Sequence, residues 1–451
     1  MEAEKIKRFI INKYDLNRID INFGLQQIYQ LINITENNSK RNYPPTMSKS
    51  INSLGEKEYD TSFYTGTGGN IYIYWKQYLF HDRKKEYLDK FYQALTTNLN
   101  ISKSQKDETN SFFMGKSGIY MFFCIYAIEI KNKEIFEKYF TQLIELKSFS
   151  EKINAELELL YGTTGYLYSL LFLKKYFLAI QQTTGVNNKF TIDVNPILDN
   201  TILEIFQLLL NSGIIYMNRY GWNKSLLFPF PVHSKHSTFY LGAAHGLIGP
   251  IYMLLSTIKI FNVLFNQEIS YNSKTIKISQ LLLENIKYIQ SLQIKSTGNF
   301  PSDLEGRDRG DCVHFCHGCI GAIPLFLLAE ELYPNNNFKE TAFLSNKCLW
   351  ERGLLYKGNG VCHGMSGVIY ALIKLYKFTK NEFYLKEAIG ICQGTFDPAV
   401  QKLVKGYKDP QRLCRGIPDT PYSLMEGEGG CLVMYYDLVK VILNKDKGDS
   451  S

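Results

Sequence analysis

Two cysteine–histidine pairs, Cys316-His317 and Cys362-His363, and a further histidine, His245, each stand immediately before a glycine that opens a G-x-x-G element. Thiols and imidazoles are the side chains that bind borderline metals and move protons near neutral pH. Cys316, Cys362 and His363 together offer two thiolates and one imidazole. That set suits zinc and leaves a fourth tetrahedral position open, as catalytic zinc requires. The spacing matches no compact zinc-finger pattern, so the competing reading is three unrelated residues at helix starts. An adjacent Cys-His pair can serve one metal only where a tight turn lets both side chains face it.

These residues belong to an internal repeat. Seven G-x-x-G elements occur, GTGG (66–69), GKSG (115–118), GTTG (162–165), GLIG (246–249), GCIG (318–321), GMSG (364–367) and GEGG (427–430). Each is followed at once by a run apolar nearly all round, such as IYMFFCIYAIEI or VIYALIKLYKF, as expected of helices buried on several sides. Amphipathic stretches at 23–34, 87–99, 135–146, 197–210, 276–292, 338–350 and 383–392 alternate with them. The pattern predicts an all-α protein with inner and outer helical layers. Stacked repeats leave apolar ends exposed, and closing seven of them into a ring removes that cost. Glycine permits close backbone approach where the inner helices converge, and the helix N-termini there aim partial positive charge at the centre. The spacing is longest on either side of GLIG, with insertions from Gln181, over 218–236 and from Phe265. Insertions of this kind are expected on the functional rim.

Composition excludes other classes. With 45% hydrophobic and 21% charged residues the chain is not disordered. The net charge of +8 is spread over lysines in polar loops, a solvated surface rather than a nucleic-acid groove, although weak peripheral attraction to acidic membrane surfaces stays open. MEAEKIKRFI lacks a signal-peptide core, and the apolar runs fall short of the roughly 20 residues that span a bilayer. Nine cysteines without a secretory signal point to a reducing cytoplasm. Cys124, Cys348, Cys392 and Cys431 lie in apolar helical patterns and are expected to be buried, whereas Cys312, Cys316, Cys319 and Cys362 lie at turns.

The strings TSFYTGTGG, ELLYGTTGYLYSLLF, YLGAAHGLIG, VHFCHGCIG, ERGLLYKGNGVCHGMSG and PDTPYSLMEGEGG resemble, in order, the motifs of eukaryotic LanC-like (lanthionine synthetase C-like) proteins. The resemblance implies a double-layered α/α toroid of seven inner and seven outer helices, with the G-x-x-G turns at one face and one central zinc. It divides the chain into 1–60, an N-terminal helical extension with an outer helix, and 61–445, the toroid. Cys316, Cys362 and His363 take the zinc positions, and His245 that of the active-site histidine. Glu158 matches an acidic position that would orient a histidine or handle a proton, against the plainer reading of a solvated or helix-capping carboxylate. Lys357 and Arg415 match basic positions suited to the carboxylates of glutathione, or are surface charges.

The activity implied is addition of the glutathione thiol to dehydroalanine or dehydrobutyrine residues in proteins. The thiol attacks as thiolate, and His245 or His317 protonates the resulting enolate. Departures from the family pattern are CHGCIG in place of C-H-G-A-P-G, Phe315 in place of tryptophan, and Cys312 where bacterial cyclases carry arginine; Cys319 adds a thiol near the expected metal, expected to compete for it or to be oxidised. Two alternatives stand beside this reading. One is a noncatalytic glutathione-binding or signalling-partner protein with a structural zinc. The other is a carbohydrate-active toroid, which would need opposed carboxylates that the turns do not supply.

Overall fold

A computed structural model describes residues 8–42, 48–51, 57–103, 109–184, 194–232, 234, 236–271, 274–306, 310–407 and 420–445. In chain order its helices are α1 (Ile21–Asn42), α2 (Gly68–Phe80), α3 (Lys85–Ser102), α4 (Ser117–Glu129), α5 (Lys133–Glu145), α6 (Lys147–Ser150), α7 (Thr163–Thr184), α8 (Asn195–Arg219), α9 (Ile248–Ile260), α10 (Ile278–Ser291), α11 (Cys319–Leu332), α12 (Phe338–Arg352), α13 (Met365–Thr379), α14 (Glu382–Gly394), α15 (Pro398–Gly406) and α16 (Glu428–Leu443).

Seven of these, α2, α4, α7, α9, α11, α13 and α16, begin at or inside the G-x-x-G elements. They are the inner layer. In α4, Ile119, Met121, Phe122, Phe123, Cys124, Ile125 and Ala127 are all buried, and only Tyr120, Tyr126 and Glu129 are partly exposed. By contrast α3 buries only Phe91, Leu95, Asn98 and Ser102, the single stripe of an outer amphipathic helix. Each inner helix packs on the outer helix that follows it, pairing α2 with α3, α4 with α5, α7 with α8, α9 with α10, α11 with α12 and α13 with α14. No such partner follows α16, and α1 from the other end of the chain takes that place. Inner neighbours touch in sequence order, and α16 packs on α2, so the ring closes. The fold is an α/α toroid. Short antiparallel pairs decorate it: β1 (Phe9–Ile10) with β6 (Leu354–Leu355), β2 (Ser48–Ile51) with β3 (Lys57–Tyr59), and the hairpin of β4 (Glu268–Tyr271) with β5 (Lys274–Lys277).

The turns are joined to one another as well as to their helices. Phe63 N–H donates to the Phe113 carbonyl at 2.7 Å, Leu159 N–H to Ala244 at 3.0 Å, Phe315 N–H to Cys362 at 2.8 Å, Cys362 N–H to Met425 at 2.8 Å and Met425 N–H to Tyr64 at 3.1 Å. The Ser111 hydroxyl donates to the Leu160 carbonyl at 2.6 Å and links the second turn to the third. Between the fourth and fifth turns the link is packing, because Gly242 lies so close to Cys316 that a Cβ would sit 1.8 Å from its carbonyl oxygen. A belt of backbone contacts thus runs around one end of the ring and satisfies buried peptide groups that no helix can reach.

Of the insertions, 218–236 reaches the turn face as expected, since Phe230 pairs with Thr238 just before the fourth turn. The β4–β5 hairpin does not. It joins the end of α9 to the start of α10 and so lies at the opposite end of the ring from the turns. Most of the insertion from Gln181 lies outside the described residues.

Gly242→Ala should lower stability by about 2 kcal/mol or more, since backbone must shift to admit the methyl. Gly406→Ala, at the end of α15 with open space around it, should be neutral or slightly stabilising. Urea denaturation of the two variants checks the contrast.

Candidate metal centre and active site

The belt brings three distant donors together. Cys316 precedes α11, and Cys362 and His363 precede α13. Their ligand atoms, two thiol sulfurs and one ring nitrogen, all lie within 4.8 Å of one another. Cys362 and His363 are buried, and Cys316 is partly exposed. Local geometry depends on Gly318, whose φ of +115° is open to glycine, and whose Cβ would meet the Cys312 carbonyl at 2.2 Å. The fully buried Asn299 clamps the same loop. Its amide donates to the Gly310 and Cys312 carbonyls at 2.6 and 2.9 Å, and its oxygen accepts the Cys319 N–H at 2.8 Å.

The donors already share protons as a metal would require them to release. A hydrogen bond from Cys316, followed by contacts from His363 and Tyr64, holds the Cys362 thiol well below its ordinary pKa. The same bond to Cys362, with burial, pushes Cys316 well up. Burial works against protonation of His363, yet its hydrogen bond to Cys362 and that thiolate's charge carry its pKa above the usual imidazole value. Tyr64, raised by burial and then by the nearby Cys362 and Cys316, donates its hydroxyl to Cys362. Two thiols and an imidazole converging at this spacing fit a tetrahedral N/S metal site.

His245 lies on the same face. Its Nδ1 is 3.0 Å from a Glu158 carboxylate oxygen, and its ring stacks on Phe230 at 4.4 Å and 15°. Glu158 is only 1% exposed and also accepts the Leu160 N–H at 2.8 Å and the Tyr161 N–H. It thus ties the turn before α7 and lies against the imidazole at the same time, and it is buried rather than solvated. Nε2 of His245 has no hydrogen-bond partner among the described residues, and the side chain keeps 20% of its exposure. The His317 ring stands 6.4 Å from that of His245 and 5.2 Å from Tyr240, and so joins the histidine side of the site to Cys316. Beside the Tyr161 and Phe230 wall opens a cavity of about 620 Å³ whose lining includes Met114, Lys116 and Lys152.

Lys357 is partly exposed and lies within electrostatic range of His363 and His314. Arg415 lies outside the described residues. Cys319 is not a competitor for the metal group, because its thiol meets Cys348 of the outer layer. Cys124, Cys348, Cys392 and Cys431 are buried as their pattern predicts. Sequence reasoning missed Tyr64, His314 and Arg8. His314 is buried with its ring 5.8 Å from that of His363; burial first, then His363, His317, Arg8 and Lys357, hold its pKa well below normal, which favours the neutral imidazole. Arg8 reaches Cys312 Sγ at 3.6 Å from beside β1. Tyr64 stands two residues before the first G-x-x-G, a position the repeat could have flagged; Arg8 had no local signal.

The family model for lanthionine synthetase C-like protein matches residues 57–446. Among curated proteins, the chain is 30% identical over 283 residues to glutathione S-transferase LANCL1 of Danio rerio, covering 63% of this chain and 59% of that protein. It is 24% identical over 398 residues to LanC-like protein GCL1 of Arabidopsis thaliana, covering 86% and 81%. Among solved structures, nisin cyclase aligns over 94% of this chain and 99% of its own, with 13% identity and a TM-score of 0.48.

Removing the Glu158 carboxylate strands two backbone N–H groups and the imidazole. Glu158→Ala should therefore cost about 2–4 kcal/mol in chemical denaturation, and Glu158→Gln, which keeps an acceptor oxygen, clearly less.

Proposed function

This chain belongs to the lanthionine synthetase C-like family, and we propose that it adds the thiol of glutathione to dehydroalanine or dehydrobutyrine residues in proteins. The observation that carries the reading is the meeting, on one face of the ring, of a Cys316/Cys362/His363 donor set with a carboxylate-oriented histidine whose Nε2 is open. The zebrafish relative, named a glutathione S-transferase, supplies the choice of thiol.

In this proposal Cys316, Cys362 and His363 hold zinc, which when bound supplies Lewis acidity that lowers the pKa of a thiol at its open position. The thiolate sulfur forms a bond to the β-carbon of the acceptor while the C=C π pair moves toward the neighbouring carbonyl as an enolate. His245, held by Glu158, returns a proton to the α-carbon from Nε2, with His317 as the alternative donor. The proton lost by the thiol balances the one gained by carbon. Tyr64 donates to Cys362 and moderates the charge of that thiolate. Lys357 and Arg415 take the carboxylates of glutathione, and the positive charge of Arg8 near His314 adds to the same field. The acceptor peptide runs along the cavity beside Tyr161 and Phe230, whose rings flank the His245 imidazole and lead toward it. The eight described cysteines carry no disulfide, which supports a reducing cytoplasm as the place of action, with weak peripheral contact to acidic membranes through the net charge of +8.

Elemental analysis should find one zinc per chain, lost in Cys362→Ala. Full retention of zinc in that variant, or none in the wild type, overturns the metal assignment.

With a dehydrobutyrine peptide and glutathione, His245→Ala should keep zinc while slowing turnover by roughly 10²–10⁴-fold. Lys357→Ala should chiefly raise KM for glutathione. A zinc-replete, reduced wild type that binds glutathione without turnover would favour the noncatalytic reading.

A further inference from the structure

The far end of the ring, away from the turns, holds a second cavity of about 700 Å³. It shares Tyr252 and Lys374 with an apolar cavity of about 420 Å³ inside the ring, whose lining continues up to Phe315 and Val361 beside the metal ligands. Five lysines and two carboxylates line the far mouth. Both carboxylates are already engaged: Asp199 pairs with Lys174 at 2.6 Å, and Glu331 pairs with Lys259. Lys175, Lys374 and Lys377 remain, and none has a carboxylate at ion-pair distance among the described residues.

Lysines in the last turn of a helix ordinarily complement its dipole, and that accounts for Lys259 of α9 and Lys377 of α13. It does not account for Lys175, which lies in the middle of α7. Nor does it require that Lys175 face Lys374 across a concave mouth. Both side chains reach solvent, yet protein surrounds them closely enough that burial, and then neighbouring lysines, lowers their pKa values; for Lys374, Glu331 partly offsets this. Ammonium groups gathered this way repel one another unless an anion lies between them. Phe261, Phe378 and Leu328 supply apolar wall beside the charges.

We propose that this far mouth is a binding site for a small phosphorylated organic molecule, with phosphate oxygens between Lys175, Lys374 and Lys377 and its apolar or ring portion against Phe261 and Phe378. Its volume falls within the roughly 300–1,000 Å³ of small-molecule sites. Lysine suits phosphate as a point charge, without the bidentate geometry that arginine imposes. The site is separate from the metal face and does not depend on the activity assigned there.

Titration calorimetry of the full chain at low ionic strength, with pyrophosphate, ATP and adenosine as probes, tests it. ATP and pyrophosphate should bind, ATP more tightly, and adenosine should not. The Lys175→Ala/Lys374→Ala double variant should weaken ATP at least tenfold, Lys175→Arg/Lys374→Arg should retain it, and Cys362→Ala should leave it unchanged. No binding to wild type at millimolar ATP overturns the proposal. So does an equal loss in a Lys138→Ala/Lys347→Ala control on the outer helices, which would mean diffuse charge attraction, or loss in Cys362→Ala, which would put the anion at the metal face. ATP binding no tighter than pyrophosphate would remove the organic part of the assignment.

Discussion

A peptide N–H buried where helices converge must find an acceptor, and at the centre of a ring the acceptor within reach is the neighbouring turn. Hydrogen bonds from Phe315 to Cys362, from Cys362 to Met425 and from Met425 to Tyr64 answer that need. The same three bonds fix where the Cys316 and Cys362 thiols and the Tyr64 hydroxyl stand. Backbone satisfaction and ligand placement are therefore one constraint. A side chain on a mobile loop would lose entropy on converging with partners from other turns, whereas here that ordering is completed when the ring folds.

Electrostatics follow from the same arrangement. Seven helices present their N-termini to the turn face, where the helix dipoles favour negative charge. Thiolates, a carboxylate such as Glu158 and the developing charge of an enolate all suit that field. His314 shows the converse. Burial first, and then His363, His317, Arg8 and Lys357 around it, hold its pKa well below the usual imidazole value.

The repeat was legible because glycine spacing and all-round apolar runs are local patterns, and the ring follows from the need to cover exposed repeat ends. Cys316, Cys362 and His363 could be named because their types are chemically distinctive wherever they occur. Glu158 was a candidate without a known partner, since its contact with His245 spans two turns and no periodicity encodes it. Arg8 could not be read at all. Its neighbour Cys312 is 304 residues away, and the strand pairing of Phe9 with Leu355 that delivers it involves too few residues to leave a pattern. Cys319 misled in the other direction, because proximity in sequence to Cys316 says nothing about which side of a helix start a thiol faces.

The outer position of the last repeat is filled by α1, which leaves the ribosome before every other described helix, while its partner α16 leaves last. During synthesis the apolar face carrying Ile28 and Ile32, nearly inaccessible in the finished ring, waits for α14 and α16 to cover it. Closure is thus the contact of largest sequence separation among the described helices, and contacts of this kind carry a large loop-closure entropy. A helix whose apolar face waits for segments near the far end of the described chain is, in the cell, a natural client for chaperones.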